Sequence, residues 1–175
     1  LISVGTPLDG VEPYDSFFAQ GAGKTAPPPT SADDAAVVIY TSGTTGKPKG
    51  AVRKFPRDAI PQMLRFILQT PMRSSDVHLV VCPLYHSTAF AFMGLSQILG
   101  STVVLLDEFK PEPFLRAVET HRVTTTALVP TMLSRLMELP VEQRARYNAR
   151  SLRVVFTGGA QLPTTLGLEF MDAFG

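Results

Sequence analysis

Tryptophan is absent, cysteine occurs once, histidine three times, and charged side chains make up only 18% of the 175 residues. Each scarcity removes a class of protein. One cysteine, Cys82, closes no disulfide within the chain, and with histidines at 78, 86 and 121 it forms no zinc-ligand spacing, so no metal site is expected. Cys82 ends the apolar run Leu79-Val80-Val81-Cys82, where a small buried thiol is expected rather than a nucleophile, and a reducing cytoplasm suits it. Sixteen basic against fifteen acidic residues leave a formal net charge of +1 with no basic cluster, which removes nucleic acid as an expected partner. No apolar run reaches the roughly 18 residues of a membrane span. The opening Leu1-Ile2-Ser3-Val4-Gly5 has neither the positive flank nor the long apolar centre of a signal peptide, and it does not start on methionine. The chain is expected to be part of a longer polypeptide.

Apolar residues, 45% of the chain, suffice for one domain core. Residues 1–34 read as an N-terminal segment with a helical turn around Glu12–Gln20, then a Pro/Gly-rich connector from Gly21 to Asp34. Asp33 and Asp34 cap or solubilise the strand that follows. From residue 35 to 175 the pattern is denser. Pro56–Gln69 carries Ile60, Met63, Leu64, Ile67 and Leu68 at helical spacing, which predicts a buried stripe on one helix. Four short apolar runs then follow, at Val77–Pro83, Thr102–Leu106, Thr125–Val129 and Arg153–Phe156. Helical patterns occupy Thr88–Leu99, Glu112–Arg122, Thr131–Leu139 and Pro163–Phe174, the last with Leu166, Phe170 and Phe174 in register. Strands separated by crossover helices predict an α/β fold with a mainly parallel sheet and flanking helices.

The densest chemistry lies in Tyr40-Thr41-Ser42-Gly43-Thr44-Thr45-Gly46-Lys47-Pro48-Lys49-Gly50. Glycines let the main chain turn its N–H groups onto an anion, the hydroxyls donate, and the lysines add charge; the pattern suits phosphate binding. It is not a Walker loop, because Gly43 and Gly46 are too close and Pro48 stands where a magnesium-binding hydroxyl belongs. Ala51-Val52-Arg53-Lys54-Phe55 reads as a returning strand, so the loop is placed at the tip of a hairpin.

Thr41 to Gly50 resembles the signature of the adenylate-forming superfamily of acyl-CoA synthetases, peptide-synthetase adenylation domains and luciferases. Pro83-Leu84-Tyr85-His86-Ser87 resembles its acyl-pocket motif, and Thr157-Gly158-Gly159-Ala160-Gln161-Leu162-Pro163 its adenine-binding stretch, in the family's order. The resemblance implies part of the large N-terminal domain of a fatty-acyl-CoA synthetase, with ATP, Mg2+ and coenzyme A as cofactor or co-substrates and a fatty or other carboxylic acid as substrate. It implies phosphate donors at Thr41, Ser42, Thr44, Thr45 and Lys49 and nucleotide binding by Gly43, Gly46 and Gly50 of the same loop, with Lys47 either a further nucleotide contact or a solvated loop charge. It implies adenine contacts at Gly158, Gly159, Ala160 and Gln161, and a catalytic role for His86 where the carboxylate meets the α-phosphate; Lys49 is the second catalytic candidate. His78 and His121 are read as structural. Transfer of the acyl group to a carrier protein, or nucleotide binding without chemistry, are the alternatives.

The resemblance covers the chain from about Ala35, with departures. The family's magnesium-holding glutamate, ribose-binding aspartate and C-terminal lysine are not in the sequence, so the 175 residues are not expected to complete the reaction alone. Phe55 stands where many relatives carry histidine. Sheet edges and apolar faces left uncovered make self-association of the fragment an expected consequence.

Overall fold

The computed structural model describes residues 2–3, 12–13, 16, 29, 31, 34, 37–41, 49–54 and 59–174. The chain divides into two compact units, Leu1–Asp34 and Ala35–Gly175. In the first, β1 (Ile2–Ser3) pairs in parallel with β2 (Glu12–Pro13). The helical turn expected from Glu12 is corrected at its start: Glu12 and Pro13 are strand, and helical conformation is described only at Ser16. Pro13 fixes its own φ and donates no hydrogen bond, a combination a short edge strand accepts. The Asp34 carboxylate accepts the Ser31 N–H at 2.6 Å, a bond to the segment before it rather than to the strand it is expected to cap; Asp33 lies outside the described residues.

In the second unit, β3 (Val37–Thr41) and β4 (Lys49–Arg53) form the antiparallel hairpin, with Thr41 opposite Lys49 and Tyr40 opposite Gly50. Helix α1 (Ala59–Gln69) follows. Its predicted buried stripe is corrected: Leu64 is 51% and Leu68 84% exposed. Periodicity specifies which face is apolar, but burial needs a partner: Ile67 is half-buried, whereas Leu64 and Leu68 stay largely exposed.

The rest builds a four-stranded parallel sheet. In chain order it comprises β5 (Val77–Val80), α2 (Ser87–Leu99), β6 (Thr102–Leu105), α3 (Pro111–His121) and β7 (Thr125–Leu128). Helices α4 (Pro130–Met137) and α5 (Val141–Arg144), strand β8 (Val154–Thr157) and α6 (Thr164–Phe174) complete it. All pairings are parallel, in the order β6-β5-β7-β8. The α/β class and the crossover rhythm are as expected; the short α5 has no counterpart in the periodicity. The chain leaves β5 outward to β6, then crosses back to β7. With right-handed crossovers, that reversal puts α2 on one face and α3 and α4 on the other.

The main core lies on the α3 face. Phe114, Leu115 and Val118 of α3, Leu133 and Leu136 of α4 and Phe170 of α6 pack with Leu79, Val81 and Leu128, all nearly inaccessible to solvent. Leu166 and Phe174 join from the partly buried margin, as their spacing predicted. Strand β7 is buried at every position, yet two of its four residues are threonines. Both hydroxyls are satisfied: Thr126 Oγ1 donates to the Leu79 carbonyl at 2.8 Å, and Thr125 Oγ1 lies 2.9 Å from His78 Nδ1.

The N-terminal ends of the strands are held by one polar hub. Asp76, 3% exposed, accepts from the Arg73 N–H at 2.7 Å and Thr124 Oγ1 at 2.8 Å, and takes Arg153 Nη2 on both carboxylate oxygens at 2.7 and 2.9 Å. Arg153 Nη1 donates onward to the Pro71 carbonyl at 2.7 Å. The starts of β5, β7 and β8 are thereby clamped together. Burial pushes the Asp76 carboxyl up, but the hydrogen bonds from Arg153, Arg73 and Thr124 outweigh it and hold the group below its ordinary 3.8.

His78 is structural, as expected, and buried to 1% against Phe92 of α2, whose ring is stacked 6.0 Å away. Burial lowers its pKa from 6.5 to about 4, with the Asp76 charge opposing. The unfolded chain therefore binds a proton that the folded chain refuses, and stability falls as pH drops from about 6.5 to about 4. The expected loss across that window is about 3 kcal/mol. Urea titrations at stepped pH should show it, and His78→Gln should flatten the slope there; an unchanged slope in the variant would assign the acid sensitivity elsewhere.

Candidate functional site

Two loops with functional candidates leave the same edge of the sheet. After β5 the chain runs through Val81 and Cys82 into a turn closed by the His86 N–H on the Pro83 carbonyl at 2.9 Å. His86 is extended (φ −85°, ψ 134°) and caps α2, its carbonyl accepting the Phe90 N–H at 3.1 Å. Its side chain makes no capping bond, so the imidazole is not committed to the helix end. It is exposed and lies 4.6 Å, centroid to centroid, from the Tyr85 ring, itself 67% exposed.

After β8 the chain enters Gly158-Gly159-Ala160-Gln161 at once, before α6 begins at Thr164. Gly159 has φ +82°, a left-handed conformation that only glycine adopts without strain. Among the described residues nothing lies within 4 Å of a Cβ built on Gly158, and one on Gly159 meets Val129 Cγ1 at 3.4 Å. The turn thus keeps an open main-chain surface, which suits a flat ring approaching the backbone. Gly159→Ala should cost about 1–2 kcal/mol through φ alone. Thermal denaturation checks it; an unshifted midpoint would mean the turn relaxes freely.

Between the two loops ends β7. Chain direction reverses there: the loop after β5 leads to one face of the sheet, and the one after β7 to the other. In open α/β sheets the crevice beyond such a reversal is where ligands bind. Adjacent strands lie about 4.8 Å apart, so the ends of β5 and β8 are about 10 Å apart across β7. Val129, at the tip of β7 and against Gly159, is the residue the sequence reading did not single out. The strand order that gives it this position is set by non-local pairing, and no local signal reveals it.

Of the other candidates, Thr41, Lys49 and Gly50 sit on the paired strands of the hairpin, which is a separate sheet. Ser42, Gly43, Thr44, Thr45, Gly46 and Lys47 lie outside the described residues, as do Phe55 and the opening of the predicted Pro56 helix. The Cys82 thiol is half-buried, pushed up by burial, and 3.9 Å from Met132 Sδ, which suits a packing role. Among the described residues no group of three or more His, Cys, Asp or Glu is placed to hold a metal ion. Likewise no described helix is long and apolar enough to cross a membrane.

A parallel α/β sheet whose candidate loops gather at a point of reversal is a doubly wound ligand-binding fold. The chain belongs to the AMP-binding enzyme family, whose model matches residues 3–175. It is 35% identical over 145 residues to a feruloyl-CoA synthase of Amycolatopsis, covering 82% of this chain and 29% of that protein. The chain therefore spans under a third of that relative's length. Among solved structures it is 30% identical to the O-succinylbenzoate coenzyme A synthetase of Bacillus subtilis in complex with AMP, at a TM-score of 0.65, covering 82% of this chain and 28% of that one. It shares the fold of the N-terminal domain of FACL13 from Mycobacterium tuberculosis, at a TM-score of 0.72 and 24% identity, covering 93% of this chain and 41% of that one.

Proposed function

We propose that the full-length protein activates a carboxylic acid with ATP and passes the acyl group to coenzyme A. A carboxylate oxygen attacks the α-phosphorus, the bond to the bridging oxygen breaks, and pyrophosphate leaves. The coenzyme A thiol then attacks the acyl carbonyl and AMP leaves. One observation carries this reading: the loops of His86 and Gly158–Gln161 meet the crevice from both sides of β7, in a chain matched throughout by the AMP-binding enzyme family.

In this reading Gly158, Gly159 and Ala160 receive the adenine, with Gln161 beside them. Thr41, Ser42, Thr44, Thr45 and Lys49 donate to the β- and γ-phosphates as charge builds on the leaving group, with Lys47, Gly43, Gly46 and Gly50 in the same loop. His86, its ring free of the helix cap, orients the carboxylate or offsets negative charge at the α-phosphate. Magnesium would act on the polyphosphate, but the described residues supply no carboxylate cluster for it, and the chain's own contribution is donors and positioning.

The acid is a fatty acid in our reading, from the likeness of Pro83–Ser87 to fatty-acyl members of the superfamily. The feruloyl and succinylbenzoate groups in the names of two relatives favour a second reading, an aryl acid lying along exposed Tyr85. Mass spectrometry of thioesters formed from ATP, coenzyme A and a panel of short, medium and long fatty acids and aryl acids separates the two. Thioester from fatty acids alone supports the first reading, and from aryl acids alone the second. Acyl-adenylate that accumulates without thioester would move the acceptor to a carrier protein.

A further inference from the structure

A second cavity lies at the opposite edge of the sheet from the candidate site. Its volume is about 750 Å³, within the usual range for small-molecule sites. It is walled by the C-terminal part of α3 at Glu119, the end of α5 with residues 145–150, and the last residues of α6 at Asp172 and Phe174. Helices in this fold run antiparallel to the strands, so their C-terminal ends stand at the strands' N-terminal edge. Glycines 158 and 159 and His86 stand at the other.

Three arginines, Arg144, Arg146 and Arg150, line the cavity within seven residues of sequence. Among the described residues none of them has a carboxylate partner, although Glu119 and Asp172 line the same cavity. Glu119 is already engaged, its Oε1 accepting the Asn148 N–H at 3.0 Å. The Arg144 guanidinium is held against a thioether, Nη1 donating to Met137 Sδ at 3.1 Å, while its Nε is sealed from solvent with no acceptor. That Nε is equally sealed from an occupant of the cavity, so the exposed Arg146 and Arg150 lead the recognition, and phosphate oxygens are the natural partners of their guanidinium groups. Tyr147 and Phe174 add aromatic wall, which an inorganic ion would not use.

We propose that this cavity is a binding site for an organic phosphate, separate from the nucleotide-binding edge. Three guanidinium groups outnumber two carboxylates, and a phosphate dianion supplies more charge and more acceptor oxygens than a monocarboxylate. The apolar wall takes the organic part. This goes beyond the proposed reaction and does not depend on it.

Phenyl phosphate, inorganic phosphate and benzoate serve as probes, titrated calorimetrically into the full-length protein. Hydrogen–deuterium exchange with phenyl phosphate locates the bound region. Saturable phenyl phosphate binding should protect 141–150, should exceed that of both other probes, and should weaken about tenfold or more in Arg146→Gln/Arg150→Gln. Both arginines are exposed, so the variant keeps its fold, and its unfolding midpoint verifies that. Equal binding by the variant, protection confined to 158–163, benzoate binding as tightly, or no saturable binding would each overturn the proposal.

Discussion

Arg153→Met should cost about 3–5 kcal/mol of stability near neutral pH, because it strips the partner from a carboxylate with almost no access to water. Methionine keeps most of the apolar stem of Arg153, so the loss reports the charge and its hydrogen bonds to Asp76 and Pro71 rather than packing. The pH dependence makes the prediction sharper. In the native protein the Asp76 carboxyl is held below 3.8, so its contribution is present above that value and is lost as pH falls further. Without Arg153 only the Arg73 and Thr124 hydrogen bonds oppose the burial effect, so the folded-state pKa rises. The variant's deficit is therefore largest near neutrality and shrinks on acidification. Urea midpoints across the acid range check both parts. A deficit that is small and constant with pH would mean that water or a neighbour replaces the guanidinium.

Lys49→Ala should lower adenylation by about 10²–10³-fold in the full-length protein, the usual cost of removing one donor from developing charge. The loss should fall on kcat with KM for ATP little changed, since the interaction strengthens as the pyrophosphate leaves. Lys49 opens β4 directly opposite Thr41, so the hairpin fixes where its backbone stands. A raised KM with unchanged kcat would make it a ground-state phosphate contact instead.

Much of the fold was legible because its signals are local. Val77–Val80, Thr102–Leu105, Thr125–Leu128 and Val154–Thr157 are short β-branched runs separated by amphipathic stretches, and each became a strand. Thr41 and Lys49 flank a glycine-rich stretch, and the hairpin pairing follows. Gly158 directly after a strand marks a tight turn into a helix. Less was legible where distant residues decide. The order β6-β5-β7-β8, which makes a crevice beside Val129, depends on pairings between residues dozens of positions apart. Asp76 and Arg153 are 77 residues apart, so neither reads as half of an ion pair. Leu64 and Leu68 show the converse, apolar positions specified locally that remain largely exposed.

The most direct test of the account is carboxylate-dependent exchange of labelled pyrophosphate into ATP by the full-length protein. Exchange that requires an added acid, and that falls in both the Lys49→Ala and His86→Ala variants, is the predicted result. ATP binding without exchange for any fatty or aryl acid would contradict adenylation and leave a nucleotide-binding protein without this chemistry.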